Sequence, residues 1–198
     1  MAQEHSFASP GPAGLAALAV ACFGFAAVFM GKVPVEGLPL LTAWLIGGGI
    51  VQWTGAVMEL KDHNITGGNV FLFFAAFFMF AAAISTFAKF MMIKFGMKPS
   101  VLVEGWMWMA GAGFLTLVTP AYAKSTFIMF HLVIIFDVVL WMIVGVDTGW
   151  FGDPAVMKPI IAWLLVYAGW VGLYMGAAVL CNTVYGKALY WIPKPLIK

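Results

Sequence analysis

The sequence predicts an all-α membrane protein, with six transmembrane helices per protomer bundled about a central conduit. Three observations predict it. Of 198 residues, 64% are apolar and only 9% are charged, against roughly 25% charged in a typical soluble domain. The mean hydropathy is +1.01. The apolar surplus falls in six long runs separated by short stretches of Pro, Gly, Asn and charge. A bilayer core is about 30 Å thick and takes about 20 apolar residues to cross. Inside hydrocarbon every backbone group must bond internally, so such runs are helices.

The first run goes from about Gly14 to Gly31, and the second from Leu38 to Leu60, with Gln52 its only strongly polar side chain. The third starts near Asn69 and reaches about Phe87, with an extension past Lys89 toward Phe95 left open. The fourth spans about Val101 to Tyr122, the fifth Thr126 to Gly145, and the sixth Pro159 to about Tyr185. Residues 1–13 are then a polar N-terminal tail and helix-one cap, 14–187 a single transmembrane domain, and 188–198 a C-terminal tail. Glu4 and His5 stand near the start without Lys or Arg, whereas a secretory signal begins positive. The first run is therefore expected to be a retained helix. Trp44, Trp106, Trp150, Tyr190 and Trp191 recur near run ends, as interfacial anchors would.

Charge narrows the function. The ten basic residues are all lysines, with no cluster suited to phosphate backbones, so nucleic acid is not an expected partner. With both ends on the cytoplasmic side, five lysines fall on each face, and the positive-inside rule is silent. Cys22 and Cys181 both sit in apolar runs and read as small buried hydrophobes, implying neither disulfide nor metal framework. The three histidines, His5, His63 and His131, lie far apart. No zinc spacing and no phosphate cradle is present. An enzyme, a metal and a cofactor are not expected.

Intramembrane ionisable residues are costly and default to function. His131 and Asp137 are six apart in the fifth run, which at 100° per residue puts them about 120° apart around the helix. They cannot pair within it, and proton handling and a satisfied structural hydrogen bond stand level for Asp137. Glu104 is expected at the interface near Lys98, and Glu59 as a snorkelled surface charge beside Lys61. Gly172 and Gly176 form a G-x-x-x-G pair, which favours tight helix packing over a glycine-lined conduit wall.

Two junctions carry polar chemistry. Before helix one stands Ser9-Pro10-Gly11-Pro12-Ala13-Gly14-Leu15. Ser followed by Pro marks a helix start, whose free N–H groups make an anion site. On chemistry alone an ordinary cap is the favoured reading. Between runs two and three, Asn64, Gly67 and Asn69 supply amide groups without fixed charge, suited to a small polar or weakly anionic solute; a plain turn is favoured there too.

These two places resemble the acetate uptake transporter family, the succinate–acetate permeases. Its N-terminal signature Asn-Pro-Ala-Pro-Leu-Gly-Leu is matched by residues 9–15, which keep both prolines, the glycine and the last leucine. A Gly-Gly-Ile-x-Gln run continuing to a Glu matches Gly48-Gly49-Ile50-Val51-Gln52 and Glu59, and the Asn and Gly that follow match Asn64 and Gly67. Near the C-terminus Tyr174, Asn182 and Tyr185-Gly186-Lys187 match in order.

The resemblance implies a six-helix protomer, a homohexamer in the plasma membrane, and one conduit per protomer. It implies uptake of acetate or a related short carboxylate, such as succinate, by proton symport or a channel-like route. The family's hydrophobic constriction of Phe, Tyr and Leu falls by position on Leu18, Phe74 and Leu132, so two of the three differ here. Ser9, Pro10, Pro12, Gly14, Leu15, Gln52, Asn64, Gly67 and Tyr174 are carried over as substrate-binding positions. Asn69 is added on chemistry alone. His131 and Asp137, outside the family pattern, are the candidate proton relay.

The expectation is therefore a membrane transporter or channel for acetate-like monocarboxylates, its partners the acid, protons and the lipid bilayer. Two alternatives remain: a neutral-solute channel for urea or short amides, and a structural or cofactor-carrying membrane subunit.

Overall fold

The computed structural model describes residues 8–197. The stretch holding Glu4 and His5 lies outside the described residues. Among the described residues, six helical spans are long and apolar enough to cross a membrane. They comprise α1 (Gly11–Phe29), α2 (Leu38–Lys61), α3 (Ile65–Phe73) continuing into α4 (Ala82–Lys94), α5 (Leu102–Tyr122), α6 (Phe127–Thr148) and α7 (Pro154–Tyr185).

Local chemistry sets the ends. Pro10 caps α1 and Pro12 sits in its first turn, where a missing N–H costs nothing. The helix therefore starts three residues before the expected Gly14. Between α2 and α3, His63 adopts φ 61°, a left-handed conformation that lets the chain reverse within a few residues. Asn64 caps α3 by accepting from Gly67 N, so the third span starts at Ile65 rather than Asn69. Thr126 caps α6 and Asp153 caps α7, each through its side-chain oxygen. Gly149 and Gly186, at φ 71° and 63°, end α6 and α7 in left-handed turns, which glycine adopts without steric cost.

The third span holds a feature with no counterpart in the sequence pattern. Between α3 and α4 the residues Phe74–Ala81 form a π-helix, a wider turn with i→i+5 bonds that is rare and concentrates at functional sites. Within this region the rings of Phe73 and Phe77 lie 4.9 Å apart and those of Phe74 and Phe78 5.5 Å apart.

The spans form a ring. α1 packs between α2 and α7, α7 packs on α6, α6 on α5, and α2 on the whole third span. The ring closes where α3 meets α5, with the Phe73 and Phe114 rings 5.1 Å apart. The α1–α7 seam is tight because of glycine. A Cβ on Gly176 would lie 3.1 Å from the Pro12 carbonyl oxygen, and one on Gly172 3.4 Å from that of Leu15. The G-x-x-x-G pair thus packs helix on helix, as small residues do in membranes.

The buried core occupies the ring's interior and is almost wholly apolar. Cys22 is buried within it and Cys181 is half-buried. The tail beyond α7 is tied back. Tyr174 Oη donates to Trp191 O at 2.8 Å, Asn182 Oδ1 accepts from Leu189 N and Tyr190 N, and Ile197 N donates to Ala123 O at 3.0 Å.

Candidate functional site: a vestibule at one end of the ring

Where α1, α3 and α6 begin and α2, α5 and α7 end, the ring opens into a cavity of about 420 Å³. The start of α1 contributes Ser9, Gly11, Pro12 and Leu15. The α2–α3 turn contributes Glu59, Asn64, Thr66, Gly67 and Phe71. Tyr122, Lys124, Ser125 and Met129 come from the α5–α6 junction, with Met175 and Val179 from α7.

Glu59 organises the polar wall. It is buried, not the snorkelled surface charge that its place beside Lys61 suggests. Ser9 Oγ donates to Glu59 Oε1 at 3.4 Å, and Asn64 Nδ2 donates to Glu59 Oε2. Its neighbours Ser9 and Asn64 have second tasks. Ser9 Oγ accepts from Gly11 N at 3.3 Å, and Asn64 Oδ1 from Gly67 N at 3.0 Å. One carboxylate thus joins two helix starts, α1 and α3, across the vestibule.

Of the residues expected to bind substrate, the structure brings Ser9, Pro12, Leu15, Asn64 and Gly67 to the cavity wall. Pro10 and Gly14 stand behind it. Pro10 lies against Gly55, and Gly14 makes room for Phe71, whose ring a Cβ there would meet at 2.5 Å. Gln52 is fully buried, and its Nε2 donates to Gly14 O at 3.3 Å while Oε1 has no partner among the described residues. Asn69 is exposed and bonds back to Ile65 O. Tyr174 holds the tail. Neither Asn69 nor Tyr174 lines the cavity.

The three positions of the expected constriction, Leu18, Phe74 and Leu132, are all buried in the core. Each lies three residues beyond a vestibule-lining residue on its own helix: Leu18 beyond Leu15, Phe74 beyond Phe71, Leu132 beyond Met129. All three helices run inward from the vestibule, so the set stands three residues, about 4.5 Å or just under one turn, deeper. Phe74 continues into an aromatic cluster, its ring 5.4 Å from that of Phe136; Phe78 lies 6.1 Å from Trp108.

His131 and Asp137 take opposite flanks of α6. The Thr116 hydroxyl of α5 lies 2.7 Å from Asp137 Oδ1 and accepts from Trp141 Nε1 at 3.0 Å. His131 Nε2 lies 2.9 Å from Tyr167 Oη of α7. Both groups are half-buried, and neither lines the vestibule.

Sequence reasoning missed Tyr122, Lys124, Ser125, Met129 and Met175 as vestibule residues. Glu59 was missed as well, although its family match carried a signal. At the other end of the ring Glu104 meets Lys89 and Ser85, not the expected Lys98.

No family model matches the chain. No curated protein matches it in sequence. Among solved structures, that of the bacterial acetate channel SatP aligns with a TM-score of 0.79 at 19% identity, covering 94% of this chain and 99% of that one. The two share one all-α membrane fold, with six spans in the described residues of this chain.

Proposed function

We propose that each protomer conducts acetate and similar short monocarboxylates through the interior of its ring, from the vestibule past Leu18, Phe74 and Leu132. One observation carries this reading: three buried apolar side chains on three different helices all lie just under one turn beneath the vestibule lining. A likeness in fold to a bacterial acetate channel agrees with it.

The chemistry fits weak, fast passage. A short acid has a carboxyl pKa of roughly 4 and is mostly charged near neutrality. Ser9, Asn64 and Gly67 form the polar side of its approach, with Lys124 at the rim and Pro12 and Leu15 as apolar wall. The chain has no arginine, so no bidentate guanidinium clamp can hold the anion tightly. An apolar waist gates by dewetting. In this reading the protein is a transporter or channel rather than an enzyme, and assembles as a homohexamer in the plasma membrane. Proton symport and channel-like flow are separated by imposing a proton gradient.

Purified protein in liposomes given labelled acetate tests the reading. Saturable uptake above lipid alone, at acidic and neutral pH, is the expected result. No uptake at either pH refutes it, and urea-driven swelling without acetate flux would make the protein a neutral-solute channel.

A further inference from the structure

The end of the ring opposite the vestibule carries its own polar group. Lys89 of α4 pairs with Glu104 of α5, and Ser85 donates to the same carboxylate. Asp147 of α6 lies within electrostatic reach of Glu104, Lys89 and Lys158. Four spans thus contribute to it, with two ammonium groups and two carboxylates.

Helical spacing turns this group toward the ring's interior. Glu104 is one turn from Trp108 on the same face of α5, and Trp108 meets Phe78 of the aromatic cluster. Asp147 is eleven residues beyond Phe136, about three turns along the same face of α6. The inward faces therefore run from the vestibule, through the apolar waist and aromatic cluster, to this polar group.

Lys89 is unlike the other lysines. Every other described lysine is exposed, whereas Lys89 is half-buried, about 7.5 Å inside the end of α4. An ammonium placed there is expensive and is kept for a task or a partner. Its side chain remains 31% exposed and that of Glu104 27%, so the pair is not sealed within the core.

The geometry points to Lys89 as the carboxylate-docking point of the second mouth, where a small monocarboxylate takes the place of the Glu104 carboxylate on the ammonium. Ser85, freed from Glu104, donates to the incoming anion. With Asp147 and Lys158 beside it the group has no strong net charge, so the anion is held briefly and released. The proposal rests on the conduction reading above and adds a residue that selects for charge.

The test uses the full chain in liposomes with potassium acetate at neutral pH. It compares half-saturation of flux at low and high salt for wild type, Lys89→Gln, Glu104→Gln and Lys89→Arg. Lys89→Gln is expected to raise half-saturation about fivefold and flatten its salt dependence. Glu104→Gln is expected to lower half-saturation, because the ammonium loses its internal competitor, and Lys89→Arg to keep the salt dependence that Lys89→Gln loses. A purely structural ion pair predicts shifts of the same sign from both neutral variants, and that result, or no shift in either, overturns the proposal. Should Lys89→Gln fail to fold, Glu104→Gln decides alone: half-saturation unchanged or raised overturns it. No acetate flux in wild type overturns the conduction reading together with this one, whereas wild-type flux with same-sign shifts overturns this one alone.

Discussion

Asn64 serves Glu59 and its own helix at once. Its amide nitrogen donates to the buried carboxylate while its carbonyl oxygen caps α3 at Gly67 N, 3.0 Å away. The vestibule wall is thereby coupled to the fold of the third span.

Asn64→Ala removes both contacts. The lost cap costs about 1 kcal/mol, and the lost donor to a buried carboxylate roughly 1–3 kcal/mol more. Thermal unfolding in detergent should show a clearly lowered midpoint. Asn64→Asp keeps the cap but sets a second carboxylate against Glu59. Its loss should be greatest at neutral pH and shrink on acidification, as the two carboxyls come to share a proton. A loss independent of pH would show that Glu59 and residue 64 are not coupled.

Gln52 ties α2 to α1 through the Gly14 carbonyl. That carbonyl lies inside α1, so helix bonding already uses one of its lone pairs. Gln52→Leu should therefore cost only about 1 kcal/mol. The same change removes Oε1, a buried acceptor without a partner among the described residues. A large collapse in stability would mean that this amide bonds to more than Gly14.

Glycine separates packing from propensity. Gly176→Leu would force α7 off the Pro12 backbone of α1 and should cost about 1–3 kcal/mol, with loss of flux as the vestibule wall shifts. A Cβ at Gly47 meets nothing within 4 Å. Gly47→Ala should be neutral or stabilising by up to about 1 kcal/mol. Melting midpoints of the two variants in the same detergent check the contrast.

Asp137 and His131 bond to neighbours on the flanks of α6. Asp137→Asn keeps an acceptor for Thr116, and His131→Gln keeps a polar partner for Tyr167. Acetate flux with and without a proton gradient should stay within about twofold of wild type in both, since each substitution keeps a hydrogen-bonding partner and neither residue lines the vestibule. Loss of gradient dependence in either variant would give that residue the relay role.

All six spans are legible in the sequence, because apolar runs of bilayer length leave little choice of structure. Their ends are less so. The sequence places Asn69 in a polar approach to the third span, but Asn64 caps the helix five residues earlier and turns Asn69 outward. The π-helix is invisible because Phe74–Ala81 is apolar throughout and marks no face. Glu59 reads as a surface charge because Ser9, one of the groups that bury it, is 50 residues away. Leu18, Phe74 and Leu132 stand out only through the resemblance, since nothing in composition sets them apart from neighbouring apolar residues.

Leu132→Cys, treated with a small charged thiol reagent, probes the proposed waist most directly. Wild type carries Cys22 and Cys181 and serves as the control for its own thiols. The account predicts that Leu132→Cys is modified, as mass spectrometry would record, and that acetate flux falls in step with modification while wild-type flux holds. Full modification with undiminished flux, or a residue 132 thiol that no reagent reaches in conducting protein, would contradict it.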